Sequence, residues 1–326
     1  MYTYGLREAE VLSLLSSPEV RFRLGLPTGG FKQAVALSDQ RELYAVLGPA
    51  GDFILRFPGD EMDRVTLRKE ARLLDHLRPR VRLQIPDTRL IDDLPEAPVF
   101  AIHRKVPGNP LTTEVWLGLS SLARDRLVKD LTQFFQATHS ISLEEACDWL
   151  EIPYKGDATL SELTGQKGKP VWFDPAAVAG MQPRLARRLE PDHQEIFADT
   201  VRQFEALPRE PSWMVFGHGD VHGYNVAMQA DAVGDRLIGI FDFGCAGILD
   251  VHEDLFRLSL VSEDLLEEVL ATYQSLPAQR RQLNRERIVI YYRAFLFYLM
   301  AESEGERLAR LQRLLQKHIQ RDLEPR

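Results

Sequence analysis

The residues best placed to do chemistry lie in one segment, Phe216-Gly217-His218-Gly219-Asp220-Val221-His222-Gly223-Tyr224-Asn225-Val226. A second short segment follows, Gly239-Ile240-Phe241-Asp242-Phe243-Gly244. Asp220 and Asn225 are five positions apart, and Asp242 lies seventeen beyond Asn225. Short apolar runs flank both segments. A loop held between strands could therefore present an acid and an amide towards a second acid. That set suits phosphoryl transfer: one carboxylate accepts a hydroxyl proton, while an amide oxygen and a second carboxylate hold magnesium against the phosphates. Hard oxygen ligands suit Mg²⁺, which keeps several waters and takes phosphate oxygens for the rest. A second chemistry stays open. His218, Asp220 and His222 alternate, and alternate residues of an extended segment point the same way, so they could ligate zinc for hydrolysis. No HExxH helix or second His cluster accompanies them.

The elements that must position these residues divide the chain in two. The first hundred residues read mostly as strands: Arg21–Leu26, Ala34–Leu37, Leu43–Leu47, Phe53–Phe57 and Val99–Ile102, with a turn at Gly48-Pro49-Ala50-Gly51. One amphipathic helix interrupts them from about Asp63 to Leu77, with Val65, Leu73, Leu74 and Leu77 near one face. After Gly108 the pattern turns helical, at Leu122–His139, Gln194–Leu207, Leu255–Tyr273 and Arg285–Ala301. Residues 151–182 are rich in Gly, Pro and polar side chains and read as irregular. His139 closes an apolar helix and reads as structural, and the aromatic cluster from Tyr291 to Tyr298 as helix core.

Composition narrows the function. The chain has 326 residues, roughly two domains at about 150 residues each. It is 44% hydrophobic and 27% charged, which excludes a disordered or fibrous protein. Net charge is −8, against a generic nucleic-acid partner. Residues 1–107 carry 16 basic and 15 acidic side chains, whereas 108–326 carry 24 and 33. The acidic second part would suit a polycationic acceptor. Two cysteines, Cys147 and Cys245, exclude a disulfide framework. The most apolar stretch, Ile288–Met300, is interrupted by Arg293 and too short to cross a bilayer. The expectation is a cytoplasmic protein with no membrane partner.

His218-Gly219-Asp220, then four residues, then Asn225, with Ile240-Phe241-Asp242-Phe243 downstream, resembles the aminoglycoside phosphotransferase and choline kinase family. The resemblance implies an α+β, two-lobed protein-kinase-like fold. The N-terminal nucleotide-binding lobe would span residues 1–104, with an antiparallel sheet, and the mainly helical catalytic and acceptor-binding lobe 105–326. It implies Asp220 as catalytic base, Asn225 and Asp242 as magnesium ligands, and His218 as a loop-shaping residue. Gly29-Gly30-Phe31 sits where the family has its nucleotide-covering loop, with Gln33 in place of a frequent Asn. Arg56 stands at the position of the phosphate-binding lysine, with Glu70 as its helix partner. Arg and Lys are not interchangeable there. The nucleobase would lie by the 102–106 linker, which includes Lys105. Asp250 and Asp254 fit an acidic turn and helix head of the family. Asp250 and Glu253 are candidate acceptor contacts, and residues 151–190 would contribute to the acceptor pocket. Cofactors would be Mg²⁺ and ATP or GTP, and the acceptor a small hydroxyl compound: an aminoglycoside, amino alcohol, homoserine, sugar or macrolide. A regulated protein kinase fits less well, because Gly219 replaces the Arg of His-Arg-Asp and no Ala-Pro-Glu follows. A non-catalytic nucleotide-binding relative is the other reading.

Overall fold

Two helices precede the first strand: α1 (Glu8–Ser16) and α2 (Pro18–Leu24). The computed structural model describes residues 6–26, 30–37, 43–48, 51–94, 97–152, 175–208, 210–231, 234–276 and 282–323. The strand expected over 21–26 is therefore a correction, since most of it lies in α2. Pro18 in the first helical turn and Gly25 just beyond the last, at φ 57°, are the signals that alternation obscured. Val11, Leu15, Val20 and Leu24 of the two helices are buried against the sheet.

The sheet is antiparallel, in the order β1 (Gln33–Ala36), β2 (Leu43–Gly48), β3 (Gly51–Arg56), β5 (Phe100–Arg104), β4 (Arg89–Ile91). One face carries Tyr44, Val46, Phe53, Leu55, Phe100 and Ile102 into the core shared with α1 and α2. Alternation along each strand sends Val35, Ala45, Ile54 and His103, which lie side by side in register, to the other face. Leu43 pairs with Arg56, and Ala36 with Tyr44, so the last residue of β1 and the first of β2 lie at the Arg56 end of the sheet.

Helix α3 (Glu61–Leu77) is capped by Asp60, whose side chain accepts from Asp63 N–H. It buries Leu67, Glu70, Leu73, Leu74 and Leu77, while Val65 is exposed, unlike the expected apolar face. Leu73, Leu74 and Leu77 join the larger core of the second part. One helix thus ties the sheet to the helical part.

Beyond the linker come α4 (Thr113–Gly118), α5 (Ser121–His139) and α6 (Leu143–Trp149). Then follow α7 (Pro175–Ala179), α8 (Gln182–Leu185) and α9 (Pro191–Ala206). The irregular stretch expected over 151–182 lies mostly outside the described residues, but its end forms these short helices. Two small antiparallel pairs cross the helical part: β6 (Met214–Gly217) with β9 (Gly247–Asp250), and β7 (Val226–Asp231) with β8 (Gly234–Ile240). The helix expected over 255–273 is divided. Val251–Leu255 is α10, residues 256–260 tighten into a 3₁₀ turn, and Ser262 caps a new helix, α11 (Glu263–Gln274). The chain ends in α12 (Arg285–Ala301) and α13 (Gly305–Leu323). Leu127, Leu131 and Phe135 of α5 share the main core with Ile288, Leu296 and Phe297 of α12. No helix among the described residues is long and apolar enough to cross a membrane.

Candidate active site

Asp220 lies on the loop between β6 and β7, and Asp242 just after β8. Backbone shape is forced on this loop. Gly219 is at φ +73°, and a Cβ there would stand 2.7 Å from the Cys245 carbonyl oxygen. Gly219 N–H donates to Asp254 Oδ1 at 2.6 Å, and His218 N–H to Asp254 Oδ2 at 3.3 Å. Asp254 is fully buried, and His139 Nε2 lies 2.8 Å from its Oδ2. Burial would raise the pKa of this carboxyl, but hydrogen bonding and charge from His139, with the Gly219 N–H, hold it below its ordinary value.

His218 is fully buried under the loop. Its Nδ1 accepts from Asp220 N–H at 3.2 Å, so the other nitrogen carries the proton and donates to Phe241 carbonyl at 3.2 Å. Burial lowers its pKa against the pull of Asp254, Asp220 and Asp242, leaving a neutral ring that ties the two segments together. With both nitrogens engaged, His218 has no lone pair for zinc. His222 Nδ1 likewise accepts from Tyr224 N–H. The arrangement of His218, Asp220 and His222 does not make a zinc site.

The Asp220 carboxylate is held on both sides. Arg257 Nη1 lies 2.7 Å from Oδ1, and Asn225 Nδ2 donates to Oδ2 at 3.1 Å and to the Asp220 carbonyl at 3.0 Å. With its amide nitrogen so committed, Asn225 has Oδ1 left as a metal donor, and no described residue donates to it. Asp242 takes the left-handed conformation at φ 66°, which Asp tolerates better than most residues. Its side chain is 49% exposed, and Arg56 Nη1 lies 3.8 Å from its Oδ1. Phe241 N–H donates to the Asn225 carbonyl at 3.0 Å, so the β7–β8 pair sets Asn225, and with it the Asp220 it holds, beside the Asp242 turn. Two hard oxygens there, one amide and one carboxylate, fit Mg²⁺. Burial pushes the Cys245 thiol up to about 12, which makes it inert.

Arg56 leaves the end of β3 towards α3, with Nη1 3.6 Å from Glu70 Oε2. Glu70 Oε1 accepts from Phe243 N–H at 3.3 Å, and Lys69 Nζ donates to the Gly244 and Ala246 carbonyls. Helix α3 therefore grips the turn that carries Asp242. Burial, then the nearby Asp242, raises Glu70 to about 7, against the favourable charge of Arg56.

A family model described as the phosphotransferase enzyme family, APH, matches residues 35–286. The chain belongs to that family. The fold is shared with aminoglycoside 2'-phosphotransferase-IIIa in its GDP complex, at TM-score 0.70 and 17% identity over 98% of this chain and all of the other. Macrolide 2'-phosphotransferase type I superposes at TM-score 0.60 and 17% identity, covering 96% of this chain and 98% of that one. A macrolide 2'-phosphotransferase from Brachybacterium faecium does so at 0.56 and 18%, covering 91% and 96%. No curated protein sequence matches the chain.

Several candidate residues are not drawn into this cluster. Gly29 lies outside the described residues. Gly30 precedes β1 at the end of the sheet remote from Arg56, about 20 Å along an extended chain from Ala36. Lys105 N–H donates to Asp52 carbonyl, and the residue lines a cavity of about 840 Å³ with Arg82, Gln84 and Arg104. Asp250 pairs with Met214 at the far end of β6–β9 from Gly217. Its carboxylate is buried against Arg287 and His252. Glu253 is buried too, at 6% exposure. These acids build the interior of the helical part, and the acceptor-contact expectation for them finds no support in the geometry. Sequence reasoning missed Arg257 and Lys69, whose partners are remote in the chain.

Proposed function

We propose that this phosphotransferase is a small-molecule kinase that moves the γ-phosphoryl of ATP or GTP onto a hydroxyl of a small acceptor. The observation that carries the reading is a chain of contacts: Asn225 bonded to Asp220, Phe241 N–H bonded to the Asn225 carbonyl next to Asp242, and Arg56 3.8 Å from Asp242 and 3.6 Å from Glu70. Residues 1–104 would form the nucleotide-binding lobe. The sheet face bearing Val35, Ala45, Ile54 and His103 is apolar enough to cover a nucleobase, and Val35 is 41% exposed. The nucleotide complexes of the structural neighbours support this reading.

In the proposed mechanism, Arg56 meets the phosphates with a planar guanidinium, and Glu70 holds it in place. Asn225 Oδ1 and the Asp242 carboxylate would hold Mg²⁺, which would neutralise charge on the phosphates. Asp220 accepts a hydrogen bond from the acceptor hydroxyl and aims its oxygen at the γ-phosphorus. As the O–P bond forms, the proton passes to the Asp220 carboxylate, and the bond to the leaving nucleoside diphosphate breaks. Such catalysis is mostly positioning and charge neutralisation. Aminoglycosides and macrolides are the acceptors of structural neighbours, and the acidic second part of this chain suits a cationic acceptor such as an aminoglycoside. Amino alcohols, homoserine and sugars are the metabolite alternatives.

The test is nucleotide consumption with ATP or GTP, with and without Mg²⁺, across aminoglycosides, macrolides, amino alcohols, homoserine and sugars. Acceptor-stimulated, Mg²⁺-dependent turnover is expected with one class. Nucleotide binding without turnover on any acceptor would point to the non-catalytic reading, and no nucleotide binding would overturn both.

A further inference from the structure

The Asp220 loop has its backbone fixed by Asp254, but a backbone does not aim a carboxylate. Two groups within hydrogen-bond distance do, Asn225 Nδ2 on Oδ2 and Arg257 Nη1 on Oδ1, while His222 Nε2 stands further off, 3.7 Å from Oδ1. Arg257 is the less expected of them. It sits in the 3₁₀ turn that divides the expected 255–273 helix, three residues after Asp254. Its side chain is 1% exposed. The guanidinium lies 4.3 Å from the ring centre of Phe295 and 5.2 Å from that of Phe256. Aromatic faces stabilise a cation and restrict a long side chain that would otherwise sample many rotamers.

Burying an arginine costs several kcal/mol unless it is well paired. The other buried arginine among the described residues, Arg287, pairs with Asp250, an acid of the core. Arg257 instead reaches the carboxylate that borders the reaction space. We infer that Arg257 is a positioning residue for Asp220, holding Oδ1 so that the remaining lone pairs of the carboxylate face the acceptor hydroxyl. The inference rests on the reading of Asp220 as the group that receives the acceptor proton. Segment 254–257 then serves the loop twice, its acid fixing the backbone and its arginine aiming the side chain. The contact is a single N–H from Nη1 whose direction the flanking Phe295 and Phe256 rings fix, whereas a lysine would offer a flexible point charge.

Steady-state kinetics of R257K, R257M, D220N and the R257M/D220N double variant test this, with water and the acceptor panel above as phosphoryl acceptors. Nucleotide Kd and thermal unfolding are measured alongside. Misplacement of a reacting group by about 1 Å costs on the order of a hundredfold. R257M is therefore expected to lose about a hundredfold in kcat, with acceptor KM and nucleotide Kd within about threefold of wild type, and R257K to recover about tenfold of that loss. In the D220N background, R257M is expected to cost less than about threefold more, because the two act as one unit. Multiplying effects in the double variant would overturn the inference. So would a loss in R257M that tracks nucleotide affinity and stability with no rescue by lysine, which marks a core ion pair only. If R257M does not fold, R257K decides: reduced kcat at unchanged nucleotide Kd supports the inference, and wild-type kcat overturns it. Full activity of D220N, or a wild type that turns over nothing, would instead bring down the reading of Asp220 and the inference with it.

Discussion

Asp254 receives His139 Nε2 and two backbone N–H groups, while His139 Nδ1 meets the Tyr273 hydroxyl at 2.8 Å. D254A would leave a buried imidazole and both N–H groups without their acceptor. Loss of one partner of a buried pair costs about 3–5 kcal/mol, and urea unfolding should show a destabilisation of that order together with lost turnover. Glu70 gives a pH-dependent effect. Its folded pKa of about 7 exceeds its ordinary 4.5, so the stability tied to its proton is complete below about 4.5 and is lost as pH rises through about 7. E70Q cannot ionise. Its metal-free stability relative to wild type should therefore rise between pH 5 and pH 7.5 in urea denaturation; a pH-independent difference would refute the assignment. Asp220, Asn225 and Asp242 were legible because two short segments carry all three. Arg257, Asp254 and His139 form a network that only the fold assembles: His139 and Asp254 stand 115 residues apart.

Helix boundaries were legible where caps and periodicity agreed. Arg285–Ala301 has the expected limits, with Asn284 accepting from Glu286 and Arg287 N–H at its start. The stretch from 255 to 273 is apolar at helical spacing throughout, so periodicity alone favours one helix. The structure breaks it at Ser262, whose hydroxyl accepts from Asp264 N–H at 3.2 Å. Arg257 lies in the 3₁₀ turn just before that break. S262A should cost about 1 kcal/mol, as a lost N-cap typically does. Thermal unfolding measures this, and no change would show that the packing of α11 sets the break. At the other end of the chain, alternation at 21–26 imitated a strand, although Pro18 and Gly25 bracket a helix. Local caps outweighed a short alternating run.

The two parts of the molecule meet around the linker after β5, where the chain packs closely on β8. A Cβ at Gly239 would stand 2.4 Å from Val106 Cγ1 and 2.7 Å from the Gln84 carbonyl oxygen. Gln84 exchanges backbone hydrogen bonds with Ile238 and Ile240, so the segment cannot move aside without breaking them. G239A should shift the sheet relative to the helical part. The expected result is a weaker nucleotide Kd by about tenfold, equivalent to about 1.4 kcal/mol, measured by calorimetry; unchanged affinity would show that the junction yields without consequence. The division into a sheet-bearing and a helical part was visible in composition. The role of α3 in joining them was not, because its leucines read equally well as facing either core.

The central claim is that Asp220 serves phosphoryl transfer to a small hydroxyl compound. The most direct measurement is mass-spectrometric detection of a phosphorylated acceptor after incubation with Mg²⁺ and ATP or GTP, comparing wild type with D220N. A positioned general base contributes on the order of 10²–10⁴ in rate. The account predicts a phosphorylated product from the wild type and a rate lower by about that factor in D220N, with nucleotide affinity retained. Product formed equally fast by D220N would contradict it.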